Sequence, residues 1–147
     1  MDDAVQQVEL QVALLLRLAD RNRRRSPRLG HTVERSAYLA LDRLDTEGPL
    51  GINEIADHLR LDASTVTRQV LGMESQGFVA RGRDEADGRR AMISLTPAGA
   101  AALAEARAAR LAVYGEILAS WSDDERRSLA AALAHLNQSM DEGLSSS

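Results

Sequence analysis

The stretch from Gly51 to Thr96 constrains the chain more than any other. Two helix-period apolar patterns and two strand-like runs follow one another there, with only tight connections between them. Ile52, Ile55, Ala56 and Leu59 repeat at the spacing of one helix face over two turns. Asp62 is a good N-cap for a second helix, behind which Val66, Val70 and Met73 point inward. Gly77 then stands where a glycine commonly ends a helix. A short helix, a tight turn and a second helix form the arrangement that lays a recognition helix in the DNA major groove. Phe78–Arg81 and Ala91–Leu95 are β-type runs, and the polar loop between them offers Gly88 for a tight turn. With Arg83, Arg89 and Arg90 around its acidic tip, this hairpin is a candidate wing.

The flanks read as helices. From Asp3 to Arg25, Val5, Val8, Val12, Leu15 and Ala19 form one apolar stripe, and Leu10, Leu14 and Leu18 a second. A helix apolar on more than one side needs more than its own domain to cover it, which points to a dimer interface. A fully buried core helix in a monomer is the other reading. Arg21 to Gly30 is a basic loop, either a solvated charge run or a contact for phosphates or an acidic partner. Thr32 caps the next helix, which runs to Thr46 and buries Val33, Ala37, Leu41 and Leu44. Glu47–Gly51 is a turn that leaves room for a short strand against the wing.

Thr96-Pro97 opens a further helix with a capping hydroxyl and a first-turn proline. That helix, Ala98 to Ser120, spans ~35 Å at 1.5 Å per residue, enough to join a reader to a distant interface. Ser122 and Glu125 make a capping box, and the last helix is expected to bury Leu129, Leu133, Leu136 and Met140. The fold class is therefore mostly α (α+β). Expected are an N-terminal dimerisation helix and basic loop over 1–30 and a winged helix-turn-helix over 31–96. C-terminal dimerisation helices over 97–142 and a frayed tail over 143–147 complete one intertwined domain.

Composition removes several classes of function. The 147 residues suit one domain, and 44% hydrophobic content is enough for a core. No apolar run approaches the ~20 residues of a membrane span, and no signal peptide precedes the first helix, so a soluble cytoplasmic protein is expected. There is no cysteine, which excludes disulfides, thiolate metal sites and cysteine-based peroxide sensing. Tyr38, Phe78, Tyr114 and Trp121 are the only aromatics, too few for stacking single-stranded bases. His31, His58 and His135 are far apart without ligand-spaced partners, so no metal site is expected. Gly82 and Gly88 belong to the hairpin rather than to a phosphate-binding loop. Nothing resembles a catalytic triad or a carboxylate pair; neither an enzyme nor a cofactor is expected.

Net charge is −4, yet its distribution matters more than its sum. Residues 1–16 carry three acids and no base, and residues 98–147 four bases against seven acids. The middle, 17–97, holds fourteen arginines against twelve acids. The base-rich part is thus the proposed reader. All eighteen basic residues are arginine, the better fork for phosphates and guanine edges.

Taken in order, IADHLRLDASTVTR across the two helices, GFVAR into the first strand, Asp87-Gly88-Arg89 at the wing and Leu95-Thr96-Pro97-Ala98-Gly99 into the next helix form a specific series. The chain resembles the MarR family of bacterial transcription regulators over nearly its whole length, from Val5 to Asp141. The resemblance implies a homodimer on double-stranded DNA with a pseudo-palindromic operator, its half-sites about one helical turn apart. It also implies repression, relieved when a small aromatic or lipophilic anion binds between the dimer helices and the reader.

On the recognition helix, Ser64, Thr65 and Arg68 are expected to point outward, with Thr67 beside them. Short hydroxyls let the backbone approach the groove, and Arg68 could grip a guanine bidentately. Ser64 and Thr65 as plain capping residues is the alternative. Arg89 resembles the family's wing arginine, which reaches into the electronegative minor groove, with Arg90 beside it and Asp87 holding the wing's shape. Gly72 stands where the family usually has a polar or basic residue, and Gln69 and Leu71 exchange the usual apolar and polar order. Arg17 and Tyr38 are the candidate effector contacts; a surface charge and a packing residue are their plainer roles. Two other functions stay open: a winged-helix protein-interaction module without DNA binding, and an architectural DNA binder without an effector.

Overall fold

A computed structural model describes residues 2–25, 33 and 35–143. Six helices and one hairpin run in the order α1 (Asp3–Arg25), α2 (Arg35–Glu47), α3 (Ile52–Leu59), α4 (Ala63–Ser75), β1 (Val79–Arg83), β2 (Ala91–Leu95), α5 (Pro97–Ile117) and α6 (Asp123–Gly143) among these residues. The chain divides into two compact units, Met1–Arg110 and Leu111–Ser147. Among the described residues no helix is long and apolar enough to cross a membrane.

The core of the first unit is the one the apolar spacing predicts. Leu41 and Leu44 of α2, Ile55 and Ala56 of α3, and Val66, Val70 and Met73 of α4 are buried with Ile93 and Leu103. Val33, Ala37, Ile52 and Leu59 pack against that cluster at partial burial. β1 and β2 pair antiparallel from Val79↔Leu95 to Arg83↔Ala91. In place of the expected short strand, Leu50 makes a single-residue bridge to the hairpin: its N–H donates to Ile93 O at 3.0 Å and its carbonyl accepts from Ile93 N at 2.8 Å.

Local chemistry sets the boundaries. Arg60, at φ 55, closes α3 in the left-handed region. Asp62 caps α4, accepting from the Thr65 N–H at 3.3 Å. Gly77 ends that helix with φ 80, a conformation that favours glycine. Thr96 opens α5: its hydroxyl accepts from Gly99 N at 3.0 Å and donates to Gly77 O at 2.6 Å. In the second unit Ser122 and Glu125 form the predicted capping box, each receiving the other's backbone N–H at 3.0 and 3.1 Å.

Three further expectations are corrected. Arg21–Arg25 continue α1 rather than opening a loop; the rest of that loop and the Thr32 cap lie outside the described residues, as does the tail beyond Gly143. β1 begins at Val79 and extends to Arg83, because the ladder carries on to the foot of the polar tip. The last helix has no buried residue. Leu133 is 38% and Met140 65% exposed, since an apolar helix period does not by itself supply a covering surface.

Candidate nucleic-acid interface

α4 is anchored by its apolar side and presents its polar side. With Val66, Val70 and Met73 buried, Ser64, Thr67 and Arg68 stand exposed, while Thr65 is half-buried. The Ser64 hydroxyl donates to Asp62 Oδ2 at 2.9 Å, and Thr67 donates to the Ala63 carbonyl at 2.8 Å. Both hydroxyls are thus oriented locally, and the one on Ser64 supports the Asp62 cap. Hydrogen bonds from the Thr65 and Ser64 side chains hold the Asp62 carboxyl below its ordinary range, so the α4 N-terminus keeps a charged cap. The Arg68 guanidinium has no ion pair among the described residues. Leu71 is 55% exposed, the price of the exchanged order at Gln69 and Leu71.

The hairpin treats its four arginines differently. Arg81 is bound to Glu74 at 2.9 Å. Arg83 donates to the Gly88 carbonyl at 3.3 Å, bracing the tip from its own strand. The Arg90 side chain pairs with Glu54 on α3 and lies 3.9 Å from Asp84. The side chain of Arg89 alone among them has no bond within the described residues, and it is exposed. The Asp87 carboxylate accepts the Arg89 N–H at 3.1 Å, and its carbonyl accepts Arg90 N at 3.0 Å. The turn thereby fixes the backbone from which Arg89 projects.

Beside the recognition helix lies a cleft of 620 Å³, lined by Thr65, Arg68, Gln69, Gly72, Met73 and Gln76 on one side and by Ala37, Ala102 and Glu105 on another. Gln69 Oε1 is buried without a hydrogen-bond partner there. Neither candidate effector residue lines it. Arg17 lines an open groove along α1 with Asp20, Arg21 and Arg24. The Tyr38 ring lies under the Arg110 guanidinium, 4.2 Å from its centroid. Hydrogen bonds that the Arg107 guanidinium donates, first to Tyr38 and then to Asp42, raise its pKa. Tyr38 is accordingly tied to α5. Among the described residues no cluster of His, Asp and Glu could hold a metal ion.

Sequence reasoning missed Glu54 and Gly51. A Gly-x-x-Glu pattern at the α3 start was the available signal, since glycine too is accepted at an N-cap and glutamate at the third position completes it.

Comparison with known proteins agrees with this geometry. The MarR family model matches residues 33–91. The chain is 31% identical over 134 residues to the uncharacterized HTH-type transcriptional regulator YxaD of Bacillus subtilis, covering 91% of this chain and 93% of that one. A MarR family protein from Bacillus stearothermophilus superposes with a TM-score of 0.74 at 29% identity, over 96% of this chain and 99% of that one. A mutant MarR from E. coli, complexed with operator DNA, shares the fold, with a TM-score of 0.71 at 18% identity over 92% and 99% of the two chains. The exposed helix face, the braced wing and these likenesses converge: the chain belongs to the MarR family of DNA-binding transcriptional regulators.

Proposed function

We propose that the protein acts as a homodimeric repressor on a pseudo-palindromic operator and leaves it when a small molecule binds. The observation that carries the dimer is the surface of α1, where Leu10 is 57% and Leu14 47% exposed beside Val5, Val8 and Leu15. Apolar surface of that kind marks an interaction site. Leu111, Tyr114, Ile117 and Met140 of the second unit are uncovered as well. Two readers related by a two-fold axis then address half-sites about one helical turn apart. Ser64, Thr65, Thr67 and Arg68 face the major groove, and Arg89 the minor groove.

For the ligand, the cleft beside α4 supports a different position from Arg17 and Tyr38. A molecule there touches the recognition helix directly, at Thr65, Arg68 and Gly72. Binding that favours one setting of α4 over another shifts the population away from the DNA-competent form. The test is a gel shift on the DNA upstream of the protein's own gene across a salt series, with sedimentation on the same sample. A dimer that binds specifically, with a steep salt slope, supports the proposal. A monomer, or binding indifferent to sequence, refutes it.

A further inference from the structure

The Arg90 side chain leaves the wing and ends on α3. Its Nη2 pairs with Glu54 Oε1, the same oxygen that accepts the Gly51 N–H at 3.1 Å. The guanidinium also lies over the Gly51 backbone: a Cβ built there would come within 2.9 Å of Arg90 Nη2 and 3.0 Å of its Nε. Gly51 is buried, at the N-cap of α3. At its other end, Arg90 is held in the tip by its own backbone. Its carbonyl accepts Asp84 N at 2.9 Å and its N–H donates to Asp87 O at 3.0 Å. Arg90 therefore bridges the foot of the wing tip to the first helix of the helix-turn-helix. The residue before it is Arg89, the hairpin cation without a side-chain partner among the described residues.

We propose that the Arg90–Glu54 pair, seated on Gly51, is the joint that sets the wing against the helix-turn-helix. Glu54, an acid, is then required for operator affinity although it touches no DNA, and Arg90 is a positioning residue rather than a phosphate contact. This rests on the DNA-binding reading of Arg89. The chemistry separates the two roles. A phosphate contact needs only a positive charge, so lysine retains most of it; a fork laid across a glycine and bonded to a carboxylate needs the planar guanidinium. Removing an acid near a DNA-binding surface ordinarily strengthens binding, whereas removing a joint weakens it.

The experiment compares wild type with E54Q, R90A, R90K and the double variant R90A/E54Q. Glutamine at position 54 retains the N-cap hydrogen bond to Gly51, so E54Q removes the ion pair and spares the helix. Binding is measured by fluorescence anisotropy, across a salt series, on a duplex the wild-type protein selects from a random pool. E54Q, R90A and R90K are each expected to weaken specific binding roughly tenfold, and the double variant no further, as residues acting through one shared network do. The salt slope stays at the wild-type value, because no phosphate contact is lost. Unchanged or tighter binding by E54Q, together with a slope about one unit shallower for R90A, overturns the proposal in favour of a phosphate contact. Hydrogen exchange in the free protein tests the joint without DNA. E54Q should speed exchange at the Asp84 and Arg90 amides; equal rates in wild type and E54Q overturn the joint whatever the DNA result. Failure of the wild type to select any duplex would strike the DNA reading of Arg89 instead, leaving the exchange result to decide the joint.

Discussion

Gly99 lies against the backbone of Phe78 so closely that a Cβ on it would meet the Phe78 carbonyl oxygen at 2.0 Å. That carbonyl also accepts the Thr96 N–H at 3.1 Å. The first turn of α5 is thus docked onto the segment linking α4 to β1, and the contact is backbone on one side, which cannot swing away. Gly99→Ala is expected to destabilise the protein by about 3 kcal/mol or more, the upper range for overpacking. Urea unfolding at fixed protein concentration measures it. A loss under about 0.5 kcal/mol, the range of an indifferent surface change, would show that the docking is not tight.

Gly72 is the opposite case. It lies in α4 with nothing within 4 Å of where a Cβ would stand, and with ordinary helical backbone. Gly72→Ala should therefore stabilise by about 0.4–1 kcal/mol, through helix propensity and a less free unfolded chain. The same unfolding assay reads it. A destabilised Gly72→Ala would mean that the cleft beside it closes in solution.

Among the described residues, Arg68 and Arg89 are the exposed cations without partners on the helix and wing faces. Arg68→Ala should cost about 1–3 kcal/mol of discrimination at one base pair of each half-site. Arg89→Ala should weaken binding chiefly where the operator has a narrow, A·T-rich minor groove. Both variants should sediment as wild type does. Competition binding against single-base operator variants separates the two; normal binding by both would remove this site.

The surface of α1 makes the oligomer testable apart from DNA. Leu14→Asp places a charge where a large apolar side chain is exposed, so a lone chain should fold as before. A two-fold contact would carry that charge twice and lose its packing. Sedimentation is expected to show a monomer, with specific operator binding reduced at least tenfold. A Leu14→Asp dimer as tight as wild type would place the interface elsewhere.

Acid should act on the cap of α4. Hydrogen bonds from Thr65 and then Ser64 lower the Asp62 pKa from its ordinary 3.8 in the folded protein. With the folded value the lower, this group's stabilisation is fully present above 3.8 and is lost as pH falls through the folded value. Asp62→Ala should melt below wild type at neutral pH, and the gap between them should narrow as pH drops below 3.8. Thermal melts followed by circular dichroism check the sign; a gap that widens in acid contradicts it.

What sequence made legible was local. Asp62, Gly77, Thr96 and the Ser122–Glu125 box declare themselves because each acts within a few residues of where it stands. The apolar spacing of α3 and α4 likewise named the core, since a 3.6-residue period leaves little choice of face. The Arg90–Glu54 joint was illegible, because a helix period carries no information about which distant loop reaches its first turn. Arg90 therefore looked like one more wing cation beside Arg89. The surroundings of Tyr38 were illegible for the same reason: its partners Arg107 and Arg110 stand on α5, and no local pattern links them. The exposure of Leu133 and Met140 has another origin, since a period shows which face is apolar without showing whether the covering surface belongs to the same chain.

Neighbouring arginines at positions 89 and 90 divide the labour of the hairpin, one facing outward and one tethered inward. Such a division has an evolutionary consequence. Descendants can exchange the outward residue and acquire new target promoters while the inherited hinge geometry persists, so divergence of regulatory circuits need not reopen the problem of folding.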